Sequence, residues 1–198
     1  MLPPWTLFYT VAGYEYFPEE RVSSHIKDIT RITQRLGLEA VKATGGVSAN
    51  DLLKAVQKPC GEPYWKLRYK GACQDVFYLT IYGQLEGQIG VMNDLVEKAG
   101  HSASDLGVYI QPVVQGTSYH CEFNLFYDPE NPRELNRVKA LSTSAVKTLM
   151  DKGAFFSRPY GESAGMILNR DAATVAVLHK FKKIFDPNNI MNPGKVCF

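Results

Sequence analysis

Residues 119–125 read Tyr-His-Cys-Glu-Phe-Asn-Leu, and this alternation constrains the fold more than any other stretch of the chain. Successive side chains of a strand point to opposite faces of its sheet. Tyr119, Cys121, Phe123 and Leu125 therefore share one face, and His120, Glu122 and Asn124 the other. A strand of this kind belongs to a sheet with one apolar, covered side and one polar side, which is the habit of antiparallel sheets.

The flanking sequence supplies elements to build such a sheet. "WTLFYTVAGYEYF", "LEAVKAT", "DVFYLTIYGQL", "GVYIQPVVQG" and "SYHCEFNLFYD" are rich in aromatic and β-branched residues and predict strands. Gln115 and Gly116 predict a tight turn between the last two. Apolar residues at three- and four-residue intervals predict helices: Val22, Ile26, Ile29, Ile32 and Leu36 before Gly37, then Ile89, Met92, Leu95 and Val96 before Gly100. Further helices are expected over Ala49–Gln57, "RELNRVKALSTSAVKTLMDKG" and "DAATVAVLHKFKKIF", the last two separated by a strand-like segment. "KPCGEPYWKLRYKG" reads as a loop. The expected fold class is α+β: ferredoxin-like modules, a largely antiparallel sheet covered by helices on one face.

With 198 residues, 45% of them hydrophobic, the chain is long enough to bury a core. Its net charge of +2 is too balanced to select nucleic acid or an anionic membrane as partner. No apolar run approaches the roughly 20 residues of a membrane span, and a cytoplasmic location is expected. Cys60, Cys73, Cys121 and Cys197 are irregularly spaced, which suggests free thiols rather than a zinc knuckle or a disulfide framework.

Two stretches carry candidate chemistry. On the polar face of 119–125, His120 can share a proton, Glu122 can orient it, and Asn124 can hydrogen-bond a ligand; the alternative is a plain solvated face. His and Glu two apart can converge on a metal, but two ligands without a third assign none. In "FFSRPYGESAG", Arg158 can hold an anionic substrate beside Tyr160, or instead make a structural ion pair with Tyr160 as a loop anchor. His25, His101 and His179 read as surface or capping residues.

The C-terminal "KIFDPNNIMNPGK", placed after a helix, resembles the closing segment of the FAD-linked oxidases of the vanillyl-alcohol oxidase and p-cresol methylhydroxylase superfamily. "YIQPVVQGTSYHCEFNLFYDPENPRE" and "GAFFSRPYG" fall in the order expected of that superfamily's cap, or substrate, domain. The resemblance covers Gly107 to Phe198 and implies that 1–198 is a C-terminal cap domain whose tail, 184–198, lies on the flavin side. It implies flavin contacts for Asn192, Pro193, Gly194 and Lys195, a place near the flavin for His120 with covalent attachment left open, and phenolate binding by Arg158 with Tyr160.

The implied function is the substrate side of a FAD-dependent oxidoreductase that takes a hydride from a phenolic, benzylic or alcohol substrate. The FAD-binding domain of such enzymes has its own glycine-rich loop, which is not found before Trp5. A partner FAD-binding domain or subunit is therefore expected, with a small-molecule substrate; a homo-oligomer is compatible with the sequence. "GTSYHCEFN" and "YGESAG" stand where the glycolate and D-lactate dehydrogenase branch has "GDGNLH"-like and "EHG" segments, a departure that favours the vanillyl-alcohol oxidase branch and leaves a 2-hydroxy-acid dehydrogenase cap as the first alternative. A non-catalytic ferredoxin-like binding or assembly domain is the second.

Overall fold

Local chemistry sets several helix starts and stops in a computed structural model that describes residues 3–58, 64–161 and 163–193, without the side chain of Val114. The chain divides into two units, Met1–Tyr64 and Trp65–Phe198.

In the first unit, helix α1 (Pro18–Arg35) opens with a proline at its first turn and ends at Leu36 and Gly37, the glycine at φ 66°. Strands β1 (Ala43–Thr44) and β2 (Val47–Ser48) form a minimal antiparallel ladder. Helix α2 (Ala49–Gln57) follows, its N-cap Ser48 accepting from the Asp51 amide at 3.1 Å. "LEAVKAT" thus contributes a strand only at its end. "WTLFYTVAGYEYF" forms no strand, although its composition predicts one: β propensity expresses packing on a pleated, half-buried surface, and Leu7, Tyr14 and Tyr16 are 80%, 68% and 72% exposed. Among its described residues this unit has two strands of two residues each, too little for a ferredoxin-like module.

The second unit begins with a short 3₁₀ turn, Trp65–Leu67, and continues through β3 (Ala72–Thr80), α3 (Tyr82–Lys98), β4 (Leu106–Val113), β5 (Ser118–Tyr127), α4 (Pro132–Asp151), α5 (Ser163–Leu168) and α6 (Ala172–Phe185). The strand read at "DVFYLTIYGQL" is displaced toward the N-terminus and ends before Ile81, which caps α3 in extended backbone. The helix α5 was not expected. Asn131 caps α4 by accepting from the amides of Arg133 and Glu134, and Asp171 caps α6 through those of Ala173 and Thr174.

The three strands pair antiparallel in the order β3-β5-β4. β4 and β5 form the expected hairpin, turned through Gln115 and Gly116 at φ 53° and 82°. Pro112 sits on β4, an edge strand, where its missing N–H interrupts no ladder bond. Phe155 forms an isolated bridge with Leu79 on the outer edge of β3, which is all that forms of the strand-like segment.

Helices α3 and α4 cover one face of the sheet. Val76 and Tyr78 of β3 and Cys121, Phe123 and Leu125 of β5 pack against Met92 and Val96 of α3 and Val138, Leu141, Ala145 and Leu149 of α4. The α+β class with an antiparallel sheet and helices on one side is thus the architecture that the alternation at 119–125 implies. Cys73 and Cys121 are free thiols; Cys60 and Cys197 lie outside the described residues. Phe123→Ala should cost about 3–5 kcal/mol through lost burial and the cavity left behind. Urea denaturation of the chain measures this, and an unchanged midpoint would contradict the assigned core.

Candidate functional site

Opposite the helices, antiparallel pairing lines up three rows of side chains. Asp75, Asn124 and Gly107 form one, Phe77, Glu122 and Tyr109 the next, and Leu79, His120 and Gln111 the third. The segment 65–71 folds over one end of this face, with the Tyr69 ring edge-on to Phe126 at 5.6 Å. Tyr69 and Lys70 anchor the segment through Asp105, at 3.2 and 2.8 Å, and Lys70 also reaches Glu134 at 3.3 Å.

This placement drives Lys66 into the face. Its side chain is 8% exposed, and its ammonium donates to Asp75 Oδ2 at 2.8 Å and to Glu122 Oε1. Asn124 Nδ2 donates to Asp75 Oδ1 at 2.8 Å and to Glu122 Oε1 at 2.6 Å. His120 Nε2 lies 3.2 Å from Glu122 Oε2, and Cys73 Sγ 3.2 Å from Asp75 Oδ1. An ionised carboxylate only accepts, so in this contact the imidazole nitrogen donates.

Burial and pairing compete at these groups. Burial opposes the charge of Glu122, but hydrogen bonds from Lys66, Asn124 and His120 outweigh it and hold the carboxyl below its ordinary 4.5. Burial likewise opposes the Lys66 charge, and the bonds to Asp75 and Glu122 raise its pKa above 10.5 instead. The Cys73 thiol, without such a donor, is pushed up to about 12 by burial and the charge of Asp75.

Aromatic rings flank the charged cluster. The His120 ring stands 6.0 Å from Phe77 and 6.0 Å from Tyr109. Tyr160 stacks on Phe77 at 5.6 Å and 9°, donates its hydroxyl to the Asp75 carbonyl and accepts from Gln74 Nε2 at 2.8 Å. Burial and Asp75 push its phenol up to about 12, so it is a neutral donor at ordinary pH. The Arg158 guanidinium lies over the Phe77 ring, 5.0 Å from its centroid, and among the described residues it has no carboxylate at ion-pair distance.

The C-terminal turn is built on a separate clamp. Asp186, 5% exposed, accepts from the amides of Ile190 and Met191 at 2.9 Å each and from Lys182, which also donates to the Met191 carbonyl. Lys182 above all holds the Asp186 carboxyl below its ordinary value. Asn189 and Asn192 take left-handed backbone, at φ 50° and 49°, which asparagine tolerates better than most residues.

Residues 116–196 match the family described as FAD linked oxidases, C-terminal domain. The match is confined to this segment of the chain. Among solved structures, the fold is similar to a p-cresol methylhydroxylase with substrate bound, at 16% identity and a TM-score of 0.63. It is also similar to the 4-ethylphenol oxidase from Gulosibacter chungangensis in complex with isoeugenol, at 15% identity and a TM-score of 0.69. These likenesses cover 87% and 90% of this chain but 34% and 37% of those chains, so the chain spans little more than a third of either. No curated protein matches it in sequence.

The FAD-linked oxidase segment contains β5, the Arg158 loop and the tail, and it brings His120, Glu122, Asn124, Arg158 and Tyr160 to one sheet face. Asn192 and Pro193 lie on the exposed turn after α6, while Gly194 and Lys195 fall outside the described residues. Asn124 is 5% exposed, with its amide nitrogen given to two carboxylates, so it acts on the face through them. Of the surface and capping readings His101 takes the second: it is 6% exposed, its amide donates to the Val96 carbonyl at the end of α3 at 3.0 Å, and its Nε2 lies 3.3 Å from the Asp105 carbonyl. His25 and His179 are exposed. Among the described residues no three His, Cys, Asp or Glu side chains converge as metal ligands do. Nor is any helix there long and apolar enough to cross a membrane.

Two members of the cluster escape the sequence reading. Asp75 is obscured because both faces of 73–78 are mixed, Cys73, Asp75 and Phe77 on one and Gln74, Val76 and Tyr78 on the other. Lys66 has no local signature; only the folding of 65–71 over the sheet brings it in.

Replacing Lys66 with Met should cost about 2–3 kcal/mol, below the range for a fully buried pair because the Asp75 side chain is 28% exposed and partly screened. The pH dependence follows from the directions of the two shifts. Stabilisation by Glu122 is complete above 4.5 and is lost as pH falls through its depressed value. Stabilisation by Lys66 is complete below 10.5 and is lost as pH rises through its elevated value. Denaturation of wild type and Glu122→Gln across pH checks the acid limb, which should flatten in the variant.

Proposed function

We propose that the chain is the substrate-side cap domain of a FAD-dependent oxidoreductase that oxidises a phenolic or benzylic substrate, and that the open sheet face is where the substrate lies. The observation that carries this reading is Arg158: a guanidinium without a carboxylate partner among the described residues, laid over an aromatic ring at the edge of a polar cluster. A planar cation of this kind suits a phenolate oxygen, and Phe77, Tyr109 and Tyr160 offer ring surfaces to an aromatic body. The likeness to two phenol-converting enzymes supports the same reading.

Each residue then has a stated part. With Nε2 donating to Glu122, the Nδ1 atom of His120 accepts the proton that a phenol gives up, and Arg158 holds the resulting anion. Glu122 keeps the imidazole in this tautomer, Asn124 fixes the Glu122 carboxylate, and Tyr160 closes the β3 edge and presents its ring. FAD, when bound, accepts the hydride from the substrate carbon. The exposed turn that Asp186 shapes fits a contact with that cofactor or its domain, through Asn192 and Pro193 and onward through Gly194 and Lys195. A partner domain or subunit supplies the rest of the FAD site.

Arg158→Ala in the FAD-loaded enzyme containing this chain should weaken binding of a para-alkylphenol by about 2 kcal/mol, roughly 30-fold in Kd, with Arg158→Lys recovering only part. Titration of the flavin spectrum with the phenol measures it. An unchanged Kd would remove Arg158 from the site.

A further inference from the structure

Resting on the reading of the open sheet face as a substrate face, we infer that Lys66 is a positioning residue for the reaction there, acting on His120 through Glu122. Both oxygens of Glu122 are assigned: Oε1 accepts from Lys66 and from Asn124, and Oε2 faces His120 Nε2 at 3.2 Å. A carboxylate held at both oxygens cannot turn. It fixes the neighbouring ring nitrogen as the donor and leaves Nδ1 as the acceptor. Phe77 and Tyr109 hold the same ring from two sides, so its plane is set as well as its tautomer.

Lys66 is what keeps this arrangement charged. Burial works against the ionised form of Glu122, and the Lys66 hydrogen bond is foremost among the groups that oppose it. Without the ammonium, Asp75 and Glu122 remain side by side, bridged only by the Asn124 amide. Glu122 then takes up a proton at higher pH, and a protonated carboxyl can donate as well as accept, which frees the imidazole to exchange roles. The other ionisable groups facing this ring and carboxylate are Asp75, Cys73, Tyr109, Tyr160 and Arg158. Of these only Arg158 is cationic, and it stands over Phe77 rather than at Glu122. Lys66 comes from the segment 65–71, so its reach depends on Tyr69 and Lys70 anchoring that segment to Asp105.

Two readouts test the inference. In the 198-residue chain, carboxyl carbon-13 NMR follows the titration of Glu122. Its midpoint should rise in Lys66→Met and stay near wild type in Lys66→Arg; an unmoved midpoint in Lys66→Met overturns the inference. In the FAD-loaded enzyme containing this chain, Lys66→Met should lower kcat for a para-alkylphenol about 100-fold, the scale of a small misplacement of a catalytic group. KM should change little, and the acid limb of the pH profile should move to higher pH. Lys66→Arg should recover most of the rate, and in a Glu122→Gln background Lys66→Met should cost little more. The arginine variant and the double variant keep the test decisive if Lys66→Met does not fold. An active wild type indifferent to Lys66→Met overturns the inference alone, whereas a wild type that does not oxidise phenols overturns the substrate reading and the inference with it.

Discussion

A single ammonium group in an unlikely place organises the open face of this sheet. Two carboxylates, Asp75 and Glu122, stand on neighbouring strands of a partly buried face, an arrangement that like-charge repulsion and desolvation both oppose. Lys66 makes it tenable by bonding to both, and Asn124 bridges them from below. The aromatic and cationic groups at the rim, Phe77, Tyr160 and Arg158, are then arranged around a polar floor of fixed geometry. On the proposed function such a floor would hold a small planar substrate in place, because misplacement by an ångström is costly in rate.

The two faces of the sheet differ in kind, one an apolar core and the other a hydrogen-bonded polar cluster. Residues of odd number on β5 pack with α3 and α4 into the core, and residues of even number make the polar cluster. This division is legible at 119–125, because a strand has a fixed period of two and the residue types alternate with it. The helices α2, α4 and α6 are equally legible, and their caps, Ser48, Asn131 and Asp171, are local chemistry; α5 is not. The aromatic run 5–17 shows the opposite case. Its composition favours a strand, yet a strand exists only where a partner pairs with it, and the partner is not a property of the segment. Lys66 is hidden for a related reason: it lies in a loop, 56 residues from Glu122 along the chain, and nothing in "YWKLRYKG" announces the contact.

The C-terminal turn follows a different logic. Asp186 ends α6 and turns back on the amides of Ile190 and Met191, with Lys182 balancing its charge. The amides of Asn189, Ile190 and Met191 are bonded within the turn, and Phe185, Ile190 and Met191 are left 77%, 77% and 60% exposed. The motif is readable in the sequence as proline and asparagine punctuation around two apolar residues. Such an exposed apolar surface suits a contact with another domain, in keeping with the match of residues 116–196 to the C-terminal domain of FAD linked oxidases.

On the proposed function, the face built on Lys66, Glu122 and His120 and rimmed by Arg158 receives a phenolic substrate for oxidation by FAD. Anaerobic mixing of the FAD-loaded enzyme containing this chain with a para-alkylphenol, and separately with a small 2-hydroxy acid, tests it through the visible absorbance of the flavin. The account predicts that the phenol bleaches the flavin and the hydroxy acid does not. Bleaching by the hydroxy acid alone would contradict it and assign Arg158 to a carboxylate instead.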